Sequence, residues 1–251
     1  MTQLYEILSP MKPLLLILHV LSALIQLLFF LFLSPKIRAN LIQAWSRQLL
    51  KILKIKVVIH GDQTFISSQQ GYLVVSNHIS WLDIHVINTM KPVVFVAKAD
   101  VANWPIFGWI AKMIGTIFVK REKLSDLKRV IKEMKLKLQA QQPVCIFPEG
   151  TSSDGRQLLA FRSNLFEAVA HSEIKILPIA LSYQENQKYS DRTAFIGDMG
   201  LIESIKLIMQ SDQIVAHIEV CAHQLAEDSR QKTADQARQA ILRTSSFGDY
   251  N

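Results

Sequence analysis

The 251-residue chain has only two cysteines, Cys145 and Cys221, each inside an apolar run. That is too few for a disulfide framework and points to a reducing compartment. It has no internal repeat and no low-complexity linker, which argues against a repeat array or a string of tethered modules. It lacks a Gly-x-Ser-x-Gly elbow, which weakens a serine-hydrolase reading. Acidic residues are the scarcer sign of charge, 21 against 28 lysines and arginines, for a net charge of +7. With a pI near 9.4, the chain suits an anionic partner: nucleic acid, a membrane surface or a phosphorylated substrate. Nucleic acid has no further support, because no recognition motif or basic–aromatic groove accompanies the charge. At 49% hydrophobic residues, there is enough chain for one sizeable domain and an appendage.

The longest charge-free run covers residues 14–33, between Pro13 and Ser34-Pro35. As a helix it is long enough to cross about 30 Å of hydrocarbon. A secretory leader fits less well, since its apolar region would be shorter and no small-x-small cleavage site follows. His19 and Gln26 share one side of such a helix, facing protein or headgroups, or are simply two tolerated polar residues. Lys36, Arg38, Arg47, Lys51, Lys54 and Lys56 follow, against only Glu6 and Lys12 before it. The positive-inside rule then places this flank and the domain behind it on the cytoplasmic side of the inner membrane. Among those cations Ile37, Leu41, Trp45, Leu49, Ile52 and Leu53 recur at helical spacing. This pattern suits a helix in the membrane interface, or more plainly one packed on its own domain. Residues 1–56 are therefore expected to form a membrane anchor, and residues 57–251 the domain.

Behind the anchor, apolar runs alternate with amphipathic stretches, which predicts an α/β fold: a mixed central sheet flanked by helices. Strands are expected at 56–60, 72–76, 93–97, 116–119, 144–147, 175–181 and 213–220. Pro178 marks its strand as an edge or an irregularity. Residues 103–110, aromatic and broken by Pro105 and Gly108, form either an apolar wall for a lipid chain or ordinary core. Leu124, Leu127, Ile131, Met134 and Leu138 define an amphipathic helix. Its opposite face holds Lys123, Lys128, Arg129, Lys132, Lys135 and Lys137, either solvated or facing an acidic carrier protein or the bilayer. Further helices are expected at 161–171 and 229–243.

The chemistry centres on Ser76-Asn77-His78-Ile79-Ser80-Trp81-Leu82-Asp83. The apolar run before it delivers His78 to a strand's C-terminal end, where α/β sheets place their ligands. In one continuous helix His78 and Asp83 would sit about 140° apart. The chain must therefore turn between them, with Asp83 in the first turn of the next helix. The carboxylate then fixes the imidazole tautomer and leaves the other nitrogen free to take a proton. A plainer reading makes Ser80 an N-cap and Asp83 its capping-box partner. Downstream, a buried run ending in Phe147 enters Pro148-Glu149-Gly150-Thr151-Ser152-Ser153-Asp154-Gly155, a tight turn whose amides suit an anion or oxyanion. His85 invites a metal reading, but no cysteine or acidic ligand set accompanies it, so a surface or packing role fits better.

Together Asn77-His78-(four residues)-Asp83, Phe95-Val96-Ala97-Lys98 through Gly115 to Arg121, Phe147-Pro148-Glu149-Gly150-Thr151 and Leu177-Pro178-Ile179-Ala180 resemble the glycerolipid acyltransferases typified by 1-acylglycerol-3-phosphate acyltransferase. The resemblance implies His78 and Asp83 as the catalytic pair. It implies Lys98, Arg121, Glu149, Gly150, Thr151, Ser152 and Arg162 as substrate-binding residues. It also implies acyl-CoA or acyl-carrier protein as donor, a lysolipid acceptor at a membrane, and no cofactor, metal or nucleophilic serine. One departure bears on the acceptor. Many phosphatidate-forming members carry an arginine after Glu-Gly-Thr, and here Ser152 stands in its place. Serine cannot replace the bidentate cation, so Arg121, Arg156 or Arg162 must serve a phosphate. Alternatively the acceptor is a lyso-ornithine lipid, whose acyltransferases the Thr-Ser-Ser-Asp-Gly run also resembles. A different class of reading is an inactive membrane-anchored lipid-binding protein, which would not need His78, Asp83 and Glu149 intact.

Overall fold

The structure, a computed structural model, describes residues 11–68, 70–120 and 123–248. Its frame is an eight-stranded mixed sheet. The strands are β1 (Ile55–Gly61), β2 (Leu73–Ser76), β3 (Val94–Lys98), β4 (Ile117–Val119), β5 (Val144–Ile146), β6 (Ile176–Glu185), β7 (Lys188–Tyr189) and β8 (Ile214–Val220). They run in the order β1-β8-β6-β2-β5-β3-β4, with β7 paired to β6 as a hairpin. β2 is parallel to both neighbours, β5 and β6, whereas β8 runs antiparallel to β6 and parallel to β1. Leu73, Val74 and Val75 are fully buried, as expected of an interior parallel strand covered on both faces.

The helices are α1 (Met11–Phe30), α2 (Pro35–Ile52), α3 (Leu82–Met90), α4 (Phe107–Met113), α5 (Leu124–Gln139), α6 (Leu201–Met209), α7 (Arg230–Leu242) and the short α8 (Ser245–Gly248). One face of the sheet is covered by α2, α3 and α6, through Leu49, Leu50, Leu82, Val86 and Ile208 against Val74, Cys145, Leu181 and Tyr183. The other is covered by α5 and α7, through Val130, Met134, Ala234 and Ile241 against Leu73, Val75, Val144 and Ile146. Alternate residues of β2 and β5 thus serve opposite cores, the two-residue period of a strand. Each fully buried aliphatic side chain contributes about 1.5–3 kcal/mol relative to exposure.

Only 22% of the apolar window of α1, Lys12–Phe30, is buried. Leu14, Ile17, Leu21, Ile25, Leu28 and Phe29 are exposed. The inner side turns His19 and Gln26 toward protein. His19 stacks on Trp45 with ring centroids 4.3 Å apart, and Gln26 lines a cavity of about 80 Å³ with Trp45 and His85. α2 begins at Pro35 with Ser34 as its N-cap. Its apolar stripe then leaves Ile37 exposed and buries Leu49 and Leu53. Gln43 and Arg47 donate to the Thr89 carbonyl at the end of α3. The later part of α2 is therefore packed on the domain, as the plainer reading of its periodicity has it.

Three departures from expectation have local causes. β6 is an interior strand rather than an edge, yet Pro178 does mark an irregularity. Its carbonyl still accepts from Cys221 N at 3.0 Å. Between the Ile179–Val220 and Ile176–Gln224 pairs the opposing chain has one extra residue, a bulge. The helix expected over 161–171 is only a 3₁₀ turn, Asn164–Ala168. Arg162 N donates back to Pro148 O at 2.8 Å, so the chain there is tied to the preceding loop instead of winding. α6 and the β6–β7 hairpin were not expected. The hairpin turn places Asn186 and Gln187 at positive φ, the geometry of a two-residue primed turn.

Gly71, before β2, abuts the last turn of α5: a Cβ there would lie 2.1 Å from Leu138 O. Backbone must move to admit a methyl group. Gly71→Ala should cost about 1–3 kcal/mol, the usual range for overpacking, read as a lower unfolding midpoint of detergent-solubilised protein. An unchanged midpoint would refute the close approach.

Candidate active site

Because β2 and β5 are parallel neighbours, their C-terminal ends open side by side, and the loops leaving them carry His78 and Glu149. His78 Nδ1 lies 2.7 Å from Asp83 Oδ2. The His78 side chain is 24% exposed and Asp83 is fully buried. The same Asp83 oxygen accepts the backbone amides of Ile79 at 2.7 Å and Ser80 at 2.9 Å. Tyr183 donates its hydroxyl to Oδ1 at 2.6 Å. Ser80 Oγ meanwhile accepts from Leu82 N at 3.3 Å. The capping box does not form: α3 starts at Leu82 with Trp81 at its N-cap position and no side-chain cap there, so the Asp83 carboxylate closes the turn before the helix and orients the imidazole.

Two further contacts seat His78. Its backbone amide donates to Glu149 Oε2 at 3.1 Å, and its ring stacks on Phe147 with centroids 4.2 Å apart. The other Glu149 oxygen accepts from Leu159 N at 3.1 Å, so the contacts of Glu149 bridge backbone rather than reach outward. Burial pushes its carboxyl up to about 7, against the two amide donors, which favour the ionised form. Asn77 extends the sheet beyond β2: its Nδ2 donates to Leu181 O at 2.9 Å, and its Oδ1 accepts from Leu181 N at 2.7 Å.

The second loop grips the first. Ser153 N donates to His78 O at 2.9 Å, and Phe195 N donates to Ile79 O at 2.9 Å. Ser152 Oγ donates to the Phe195 carbonyl, so its hydroxyl serves the loop. Gly150 adopts φ +78°, and a Cβ there would lie 2.9 Å from Arg162 Nε. The exposed Arg162 thus lies against this glycine, lining a cavity of about 90 Å³ with Phe147, Val119 and Leu127. Thr151 is exposed. Lys98 is exposed at the end of β3 and pairs with Asp100 at 2.5 Å, while Arg156 reaches over the Tyr189 ring. Arg121 lies outside the described residues.

His85 is a packing histidine. It sits between Trp45 and Trp81 with Nδ1 3.4 Å from Ser46 Oγ, and burial pushes its imidazole down to about 3. The sequence reading missed Tyr183, Phe147 as a stacking partner and Phe195 as a clamp. Phe147 stood next to the Pro-Glu-Gly turn and was a detectable signal. Tyr183 and Phe195 reach the site only through the return of β6 and the segment after it.

A buried carboxylate holding one imidazole nitrogen, with the other turned away from it, is an arrangement for proton transfer at a substrate hydroxyl. Residues 56–182 match the acyltransferase family model. The chain is 29% identical over 213 residues to the lyso-ornithine lipid O-acyltransferase of Pseudomonas aeruginosa, covering 84% of this chain and 80% of that protein. It is 32% identical over 174 residues to the 1-acyl-sn-glycerol-3-phosphate acyltransferase of Neisseria meningitidis, covering 68% of each. The crystal structure of the 1-acyl-sn-glycerophosphate acyltransferase of Thermotoga maritima superposes with a TM-score of 0.66 at 18% identity, over 94% of this chain and 95% of that one, so the two share a fold. With the histidine–aspartate pair inside the matched segment, the chain belongs to the acyltransferase family.

Proposed function

We propose that the enzyme transfers a fatty acyl group from acyl-CoA or acyl-carrier protein to the free hydroxyl of a lysolipid, with 1-acylglycerol-3-phosphate as acceptor and phosphatidic acid as product. The observation that carries this is the His78–Asp83 pair, 2.7 Å apart, opening beside a turn against which Arg162 lies. His78 Nε2 takes the acceptor's hydroxyl proton as the oxygen attacks the thioester carbonyl. Asp83 steadies the imidazolium that forms. Collapse of the tetrahedral intermediate expels the thiolate, which recovers the proton from His78. The Gly150 amide donates to Phe147 O at 3.1 Å, so the oxyanion is assigned to another amide of the Gly150-Thr151 turn.

Arg162, with Arg121, is assigned to the acceptor phosphate, in the role that an arginine at position 152 would otherwise fill. A second acceptor, a lyso-ornithine lipid, is favoured by Ser152, whose hydroxyl is committed to the Phe195 carbonyl, and by relatives named for that activity. Glu149 is read as a clamp between the two catalytic loops. Residues 1–56 are read as the membrane anchor: the bare side of α1 faces lipid, and the basic flank holds the catalytic domain on the cytoplasmic side of the inner membrane.

His78→Ala should lower turnover by about 10²–10⁴-fold while the protein still folds and sediments with membranes; wild-type turnover would refute the mechanism. Arg162→Ala should raise KM for radiolabelled lysophosphatidic acid about tenfold or more, the loss of one charge-assisted contact, and leave KM for the acyl donor nearly unchanged. Wild-type enzyme that acylates only lyso-ornithine lipid would establish the second acceptor instead.

Deleting residues 1–33 should release part of the protein from membranes, and high salt should release more, because salt screens exposed cation–lipid attraction. Truncated protein that stays fully bound in high salt would contradict the electrostatic contribution.

The folded protein holds the Glu149 proton more tightly than the unfolded chain, whose ordinary value is 4.5, since burial raises the folded value to about 7. The resulting stabilisation is full below the unfolded value and is lost as pH rises through the folded one. Thermal midpoints should therefore fall more steeply between those values in wild type than in Glu149→Gln. Parallel curves would remove Glu149 from this role.

A further inference from the structure

β2 ends at Ser76, paired with Ile179, whereas β6 continues to Glu185. The overhanging half of β6 therefore runs alongside the catalytic loop, and two of its residues on one face anchor that loop. Leu181 exchanges two backbone hydrogen bonds with the Asn77 side chain, next to His78. Two residues on, Tyr183 is 1% exposed and donates its hydroxyl to Asp83 Oδ1 at 2.6 Å.

The geometry around Asp83 makes that bond more than the satisfaction of a buried phenol. Oδ2 takes His78 Nδ1 and two backbone amides, while among the described residues Tyr183 is the one donor to Oδ1. The two oxygens are chemically equivalent, and a buried carboxylate with one bare oxygen rotates to share donors between both. Rotation about the Asp83 Cβ–Cγ bond would carry Oδ2 away from His78 and let the imidazole turn. We propose that Tyr183 is a positioning residue for acyl transfer: its hydroxyl pins Asp83 Oδ1, so that Oδ2 stays fixed on His78 Nδ1. Burial, and after it the Asp83 charge, push the phenol well above its ordinary value, so it remains a donor wherever the enzyme works. The proposal rests on the acyl-transfer reading of the His78–Asp83 pair and adds a third member held by a different strand.

The consequence is specific. At 1% exposure Tyr183 offers no surface to either substrate, so its loss should act on turnover and leave binding alone. In full-length enzyme in detergent micelles, Tyr183→Phe should lower kcat about ten- to a hundredfold, the loss of one hydrogen bond to a charged group. KM for acyl-CoA and for lysophosphatidic acid should stay at wild-type values. In an Asp83→Asn background the same change should have little further effect, because both substitutions disable one unit. Should the phenylalanine variant not accumulate, Tyr183→Met, similar in reach and more adaptable in packing, is measured in its place, with kcat expressed per folded molecule.

Wild-type kcat in the Tyr183 variant, alongside an inactive His78→Ala, would overturn the proposal and leave the catalytic pair standing. Equal losses in kcat with and without Asp83→Asn, or a raised KM, would also overturn it, since Tyr183 would then act through packing. Full activity in His78→Ala would remove the acyl-transfer reading itself.

Discussion

The site depends on one buried carboxylate. Taking an isolated charge out of water costs several kcal/mol unless hydrogen bonds replace its hydration. Asp83 recovers that cost from four donors: an imidazole, two loop amides and a phenol. Of these, Tyr183 comes from outside the turn, placed by β6. The carboxylate consequently closes the turn before α3 and orients the His78 imidazole at once. Removing it would leave four donors facing inward without an acceptor.

Glu149 does for the two loops what Asp83 does within one. Its oxygens join the amides of His78 and Leu159, so the loops after β2 and β5 are tied to each other. The second loop answers through Ser153 and, by way of Phe195, through Ser152. A serine at position 152 is short enough to reach the Phe195 carbonyl. An arginine there would give up that tie and gain a cation in its stead.

The N-terminal helices pack beside the domain that carries this site. α1 presents a bare apolar side, and its inner side meets Trp45 and the small cavity lined by Gln26 and His85. α2 joins the domain core through Leu49 and Leu53. The segment proposed as the anchor is therefore also a structural wall of the domain, with the bare apolar face on α1 and the stripe of α2 buried in the core.

What the sequence alone determined follows from local physics. The seven longer strands, the amphipathic α5, the charge-free helix and the turn between His78 and Asp83 all rest on periodicity, length and charge within a few residues. The pairing of His78 with Asp83 was legible because helix geometry forbids a shared face and forces a loop. Contacts between residues far apart in the chain were decided by tertiary structure. Tyr183 reaches Asp83 only because β6 outruns β2, and a strand's pairing length depends on its neighbours. Ser152 is drawn to Phe195, and Glu149 inward to two amides, because backbone donors and acceptors beyond the C-terminal ends of β2 and β5 need partners there. Residue type told that these groups could bond; only the folded chain decided to what.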